Sequence, residues 1–134
     1  MRAAKWAPAT SGDVEATAIL TLEFRRGTLA TVLVSTRAHY RTPLEIVGDG
    51  GVLRADDALN VDKPIRIECW REGKLADEET VSNELAYAKQ VDAFSSAVEG
   101  RAELPVPGEE GWKNQLILDA AYRSSESGKS EAIG

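Results

Sequence analysis

Residues 83–128 read NELAYAKQVDAFSSAVEGRAELPVPGEEGWKNQLILDAAYRSSESG. Leu85, Ala88, Val91, Phe94 and Val98 recur at spacings of three and four, so one apolar stripe runs along a helix over residues 83–99. Ser82 or Asn83 is its expected N-cap, Gly100 lies past its end, and Glu84, Lys89, Asp92 and Glu99 fall off the stripe. Pro105 and Pro107 flank Val106 and make residues 101–107 an extended linker. A second helix is predicted over residues 109–127. Glu109 and Glu110 suit its positive end, Trp112, Leu116, Ile117, Ala120 and Ala121 form its buried side, and Gly128 is its C-cap. Amphipathic helices need something apolar to cover, and the residues before them supply a sheet.

That sheet opens on residues 14–24. Ala16, Ala18, Leu20, Leu22 and Phe24 point one way, and Glu15, Thr17, Ile19, Thr21 and Glu23 the other. A second strand spans residues 28–36, beyond Arg25, Arg26 and Gly27. A two-residue loop would set Phe24 against Leu29 and Leu22 against Thr31. A three-residue loop with a left-handed Gly27 pairs Phe24 with Thr28, Leu22 with Ala30, Leu20 with Val32 and Ala18 with Val34. Only the second keeps one face almost wholly apolar, and a one-residue slip would flip every side chain, so the three-residue loop is expected. The opposite face then mixes Ile19, Leu29 and Leu33 with Thr17, Thr21, Thr31 and Ser35. Such a face is too apolar for water and too polar for a core, which marks Ile19, Thr21, Leu29, Thr31 and Leu33 as candidates for a subunit interface.

Further strands are read at residues 44–47, 52–54, 65–70 and 75–81, the last polar enough for an edge. Residues 1–13, rich in Ala, Pro, Thr, Ser and Gly, read as a loosely ordered lead-in. The expectation is therefore a single α+β domain over residues 14–134. It consists of an open, mostly antiparallel sheet of about six strands, two C-terminal helices on one face, and the other face free for oligomerisation.

Composition narrows the function. The 134 residues suit one domain with one core, at 43% apolar. A net charge of −6 argues against general nucleic-acid binding and against an anionic membrane surface. No apolar run approaches the roughly 18 residues of a membrane span. The N-terminal stretch lacks the apolar segment of a signal peptide. With the lone Cys69, this makes a reducing, cytoplasmic setting the simplest expectation.

The chemistry-bearing residues are sparse. Gly48-Asp49-Gly50-Gly51 is followed by the strand-like Val52-Leu53-Arg54 instead of a helix, so it reads as a turn and not as a phosphate cradle. His39, the only histidine, sits in a polar connection with Tyr40 and Arg41. These three are the candidates for facing a substrate, although a histidine in a surface loop is the plainer reading. Asp56-Asp57 and Glu109-Glu110 are adjacent pairs that do not face each other. One cysteine and one histidine do not make a metal site. Trp112 is expected in the core, and Trp70 on the sheet face away from the helices. The residues themselves therefore indicate no catalytic, cofactor-binding or metal-binding set.

Four stretches resemble the C-terminal domain of the glucose–fructose oxidoreductase / inositol dehydrogenase (Gfo/Idh/MocA) family, in that family's order. Residues 16–34, ATAILTLEFRRGTLATVLV, resemble its first long hairpin, and residues 44–53, LEIVGDGGVL, its strand–Gly turn–strand segment. Residues 87–100, YAKQVDAFSSAVEG, resemble its penultimate helix, and residues 105–128 its final loop and helix. The resemblance implies a substrate-binding and oligomerisation domain whose open sheet face joins subunits. It also implies a full enzyme with a preceding Rossmann domain that binds NAD or NADP and acts on a sugar, polyol or related hydroxyl compound. The chain departs from the family in three places. The dinucleotide-binding glycine motif, the Glu-Lys-Pro motif and the helix written G-G-x-x-x-D-x-x-x-H are all missing. His39 follows the second strand, so the family's catalytic role does not transfer to it. The expectation is part of an oxidoreductase, inactive alone, missing its Rossmann partner and associating with copies of itself. The alternative is a stand-alone association or small-ligand-binding module of the same fold.

Overall fold

The computed structural model describes residues 2–6, 15–61 and 63–133, with backbone alone over 2–6. Among the described residues seven strands precede and two helices follow: β1 (Arg2–Trp6), β2 (Thr17–Glu23), β3 (Leu29–Ser35), β4 (Leu44–Gly48), β5 (Gly51–Ala55), β6 (Ile65–Arg71), β7 (Lys74–Val81), α1 (Ala86–Val98) and α2 (Gly108–Ser127). All described strand pairs within the sheets are antiparallel. The α+β class and antiparallel pairing agree with the sequence reading.

The strands form two sheets, ordered β1-β2-β3 and β4-β5-β6-β7, where one sheet of about six strands was expected. They belong to separate compact units, residues 1–38 with 106–134 and residues 39–105. The additional strand, β1, lies inside the expected lead-in and pairs with β2 from Arg2↔Thr21 to Trp6↔Thr17. Residues 7–13 of that lead-in fall outside the described residues. Periodicity locates a strand but does not name its neighbour, because pairing is a non-local choice.

In the first unit the hairpin takes the expected register. Ala18 faces Val34, Leu20 faces Val32 and Leu22 faces Ala30. The Phe24 N–H donates to the Thr28 carbonyl at 2.9 Å, and Gly27 turns the chain at φ +83°. A residue with a Cβ pays in strain at that φ, which is why glycine closes the loop. At the open end Thr17 Oγ1 and Ser35 Oγ share a hydrogen bond of 2.8 Å. Helix α2 packs against β1 and buries Ala120 and Ser124. The Ser124 hydroxyl donates to the Lys129 carbonyl at 2.6 Å, and left-handed Gly128 caps the helix, its N–H reaching the Ser124 carbonyl. Trp112 does not join this core and is 63% exposed. A five-residue strand reaches about 17 Å and a 20-residue helix about 30 Å, so β1 is too short to cover the whole of α2.

In the second unit the glycine turn closes a hairpin, with Gly48 opposite Gly51. The strands β5, β6 and β7 follow as a meander with a register shift at Cys69/Trp70. Ala55 is buried at the end of β5. There Thr42 bridges Asp57, and its carbonyl accepts from the Ala58 N–H at 2.9 Å.

Helix α1 starts later than expected, with left-handed Leu85 (φ 58°) at its N-cap position. Asn83 is not the cap because its side-chain amide donates to the Asn60 carbonyl, a partner 23 residues away. None of the residues of α1 is buried, and Val91, Phe94 and Val98 of its stripe stay exposed. The two helices belong to different units, α2 to the first and α1 to the second. A stripe shows that a helix has a face to bury, not which surface buries it.

Candidate functional site

The mixed hairpin face forms as read. Ile19 lies opposite Leu33, Thr21 opposite Thr31, and Glu23 opposite Leu29. Ile19 is 44% exposed, Leu33 66% and Leu29 68%, so three large apolar side chains stand open on one short face. The threonine pair between them supplies hydroxyls.

Beneath the other face lies a feature that sequence reading missed. Between the hairpin and α2 is a cleft of about 350 Å³. Ala18, Leu20, Val32 and Val34 line it from the sheet, with Leu118 and Tyr122 from the helix. The Tyr122 hydroxyl donates to Glu15 Oε2 at 2.9 Å, joining residues 107 positions apart at the rim. The apolar run of the hairpin signalled the lower wall. The upper wall depends on the rotation of α2, which places Ala120 and Ser124 inward and Leu118 and Tyr122 beside the opening.

His39, Tyr40 and Arg41 lie in irregular backbone between β3 and β4, all exposed, Tyr40 at 71%. They line neither the cleft nor a second cavity of about 330 Å³ beside the glycine turn, which Ile46, Leu53, Cys69 and Arg71 border. Cys69 is half-buried there and unpaired.

The four-stranded sheet carries a charged row across its strands. Glu45 opposes Arg54, Arg54 opposes Glu68, and Glu68 opposes Glu78. Two carboxylates directly opposite repel. Arg66 compensates by bridging both, at 3.2 Å to Glu68 and in close contact with Glu78. The Glu78 hydrogen bond, then its charge, holds the Arg66 guanidinium above its ordinary value. Arg54 is raised likewise, by its hydrogen bond to Asp56 and then by that charge. The Trp70 indole N–H donates to Glu68 Oε2 at 2.8 Å, placing Trp70 on this charged face. The row is an electrostatic brace.

Neither the glycine turn nor the start of α2 fits the phosphates of a dinucleotide. Gly48 and Gly51 are opposed in a hairpin, so no helix N-terminus follows the glycine turn. The first turn of α2 bears Glu109 and Glu110, which would repel a phosphate. Among the described residues no three His, Cys, Asp or Glu side chains are grouped to hold a metal ion. No helix among them is long and apolar enough to cross a membrane.

No curated protein matches the chain. The family described as "Oxidoreductase family, C-terminal alpha/beta domain" (GFO_IDH_MocA_C) matches residues 2–133, which takes in both units and every strand and helix described above. An α+β chain with antiparallel sheets, a closing pair of helices and no nucleotide cradle among its described residues thus belongs to that oxidoreductase family, as its C-terminal domain.

Proposed function

We propose that this chain is the substrate-binding and association domain of an NAD(P)-dependent oxidoreductase acting on a sugar, polyol or related hydroxyl compound. The family match over residues 2–133 carries the reading. In it, a Rossmann domain supplies the dinucleotide and the catalytic side chains. This chain contributes wall residues to the substrate cavity, with His39, Tyr40 and Arg41 as the exposed polar candidates. The face bearing Ile19, Thr21, Leu29, Thr31 and Leu33 joins copies of the chain. The unpaired Cys69 suits a reducing cytoplasm.

Reading the DNA upstream of the Met1 codon tests the proposal. The expected result is a continuous frame encoding a dinucleotide-binding domain. A promoter and ribosome-binding site directly before that codon would overturn it. Calorimetric titration of the chain with NAD and NADP gives a second check. No binding heat is expected, and micromolar binding would contradict the division of labour.

A further inference from the structure

Leu85 carries a left-handed backbone, φ 58° and ψ 29°, at the root of α1. Among the described residues one other non-glycine has a positive φ, Glu72 at 50°. Glu72 has a local reason for it. With Gly73 at φ 74° it forms the two-residue loop between Arg71 and Lys74, and tight hairpin loops of this kind use left-handed residues at both positions. No hairpin surrounds Leu85. A left-handed conformation is costly for leucine and persists only where neighbouring contacts hold it.

Two residues before Leu85, the Asn83 side-chain amide donates to the Asn60 carbonyl. With Asn83 so engaged, α1 begins at Ala86, with no side-chain cap and no acidic residue in its first turn. The sequence offers a second start. Asn83 is a preferred cap residue whose Oδ1 can accept from the Leu85 or Ala86 N–H, and Glu84 would then stand at the positive helix end. That start needs Leu85 in the right-handed well, which its present conformation excludes.

The Asn60 end of the tie is fastened in turn. The Asn60 N–H donates to the Asp57 carbonyl at 3.0 Å, the Ala58 N–H to the Thr42 carbonyl at 2.9 Å, and the Leu59 N–H to Thr42 Oγ1 at 3.3 Å. Residues 57–60 are thereby secured to Thr42, which directly follows His39, Tyr40 and Arg41.

We propose that residues 82–85 are a two-state switch between the loop at Asn60 and the start of α1. In the tied state Asn83 holds Asn60 and Leu85 is left-handed. In the capped state Leu85 turns right-handed, Asn83 caps the helix, and α1 runs from Glu84, two residues earlier than Ala86. Relief of the left-handed leucine, a cap and a favourable first-turn charge stand against the lost bond to Asn60. Both ends draw on one side chain, so the length of α1 and the order of residues 57–60 change together. Whatever fixes the segment at Thr42 favours the shorter helix, and whatever lengthens the helix loosens that segment. The switch does not depend on what His39, Tyr40 and Arg41 contact.

Backbone chemical shifts and amide exchange on the 134-residue chain test it. Asn83→Asp keeps a capping oxygen and removes the amide donor. It should give helical Cα shifts at positions 84 and 85, with about tenfold faster exchange of the Ala58 and Leu59 amides. Leu85→Gly favours the left-handed state and should do the reverse: non-helical shifts at both positions and slower exchange at Ala58 and Leu59. Non-helical shifts at 84 and 85 in Asn83→Asp overturn the switch. Helical shifts there with unchanged exchange at Ala58 and Leu59 overturn the coupling on which it rests. Should Asn83→Asp fail to fold, Leu85→Gly decides alone, and faster exchange than the parent at Ala58 and Leu59 overturns the proposal.

Discussion

A Cβ built on Gly51 would lie 2.3 Å from the Trp70 carbonyl oxygen and 3.1 Å from Cγ of Arg71. At the head of β5 the backbone of β6 thus occupies the space that any other residue needs. Gly51 also sits at φ +137°, where L side chains are strained. Gly51→Ala should cost about 2–3 kcal/mol, combining backbone strain with overpacking. Nothing lies within 4 Å of a Cβ on neighbouring Gly50, so Gly50→Ala should change stability by less than about 0.5 kcal/mol. Urea unfolding of the two variants checks the contrast. Equal losses would refute the close approach.

At Gly27 the cost comes from the backbone alone. Its φ is +83° and nothing lies within 4 Å of a Cβ there. Gly27→Ala should lose about 1–2 kcal/mol and Gly27→Asn less, since asparagine visits the left-handed region more readily. Thermal melting would rank the three proteins, and Asn falling below Ala would refute the left-handed loop.

Ser124 is 1% exposed, and its hydroxyl holds the Lys129 carbonyl just past the end of α2. Ser124→Ala should cost about 1–2 kcal/mol, because a carbonyl tied at 2.6 Å loses its donor. Exchange of the amides in the last turn of α2 should quicken in step. A variant as stable as the parent would show that water replaces the hydroxyl.

The open face makes its own prediction. Leu33→Glu places a carboxylate opposite Ile19 on a face with three exposed large apolar side chains. It should halve the apparent mass of the parent in sedimentation, while Leu33→Thr, closer to the surrounding threonines, should weaken association less. An unchanged profile for Leu33→Glu would remove this face from the assembly.

Lys113 in the first half of α2 is held charged by the hydrogen bond from its ammonium to Glu110 at 2.6 Å, and then by the Glu110 charge, so its pKa is raised from 10.5. A base whose folded pKa is raised adds stability that is fully present below the unfolded value and is lost as pH rises through the folded value. Both groups are exposed, so the effect is small. The melting-temperature gap between the parent and Lys113→Gln should be present at pH 8 and should close above about pH 10.5. A gap that widens there would reverse the sign of the argument.

Much of the local structure is legible in the sequence. The register from Ala18↔Val34 to Leu22↔Ala30 follows from parity, because only one loop length keeps the apolar residues on one side. Gly128 as the cap of α2 and the turn at residues 48–51 follow from backbone conformations that glycine adopts cheaply. The candidate site was legible in part. Exposed Ile19, Leu29 and Leu33 were read from alternation, whereas the cleft under α2 was not, since its walls come from segments about 100 residues apart.

Sequence alone determined where the main strands and helices run, which hairpin residues share a face, and the absence of a nucleotide motif, because these rest on periodicity and on residues close in the chain. Tertiary structure decided what depends on distant partners. It divided the strands between two sheets, added Arg2–Trp6 to the first, and drew Asn83 away from the helix cap to the Asn60 carbonyl. It left Trp112 exposed. Each of those outcomes turns on a contact whose two halves lie far apart in the chain, and local pattern carries no record of such a contact.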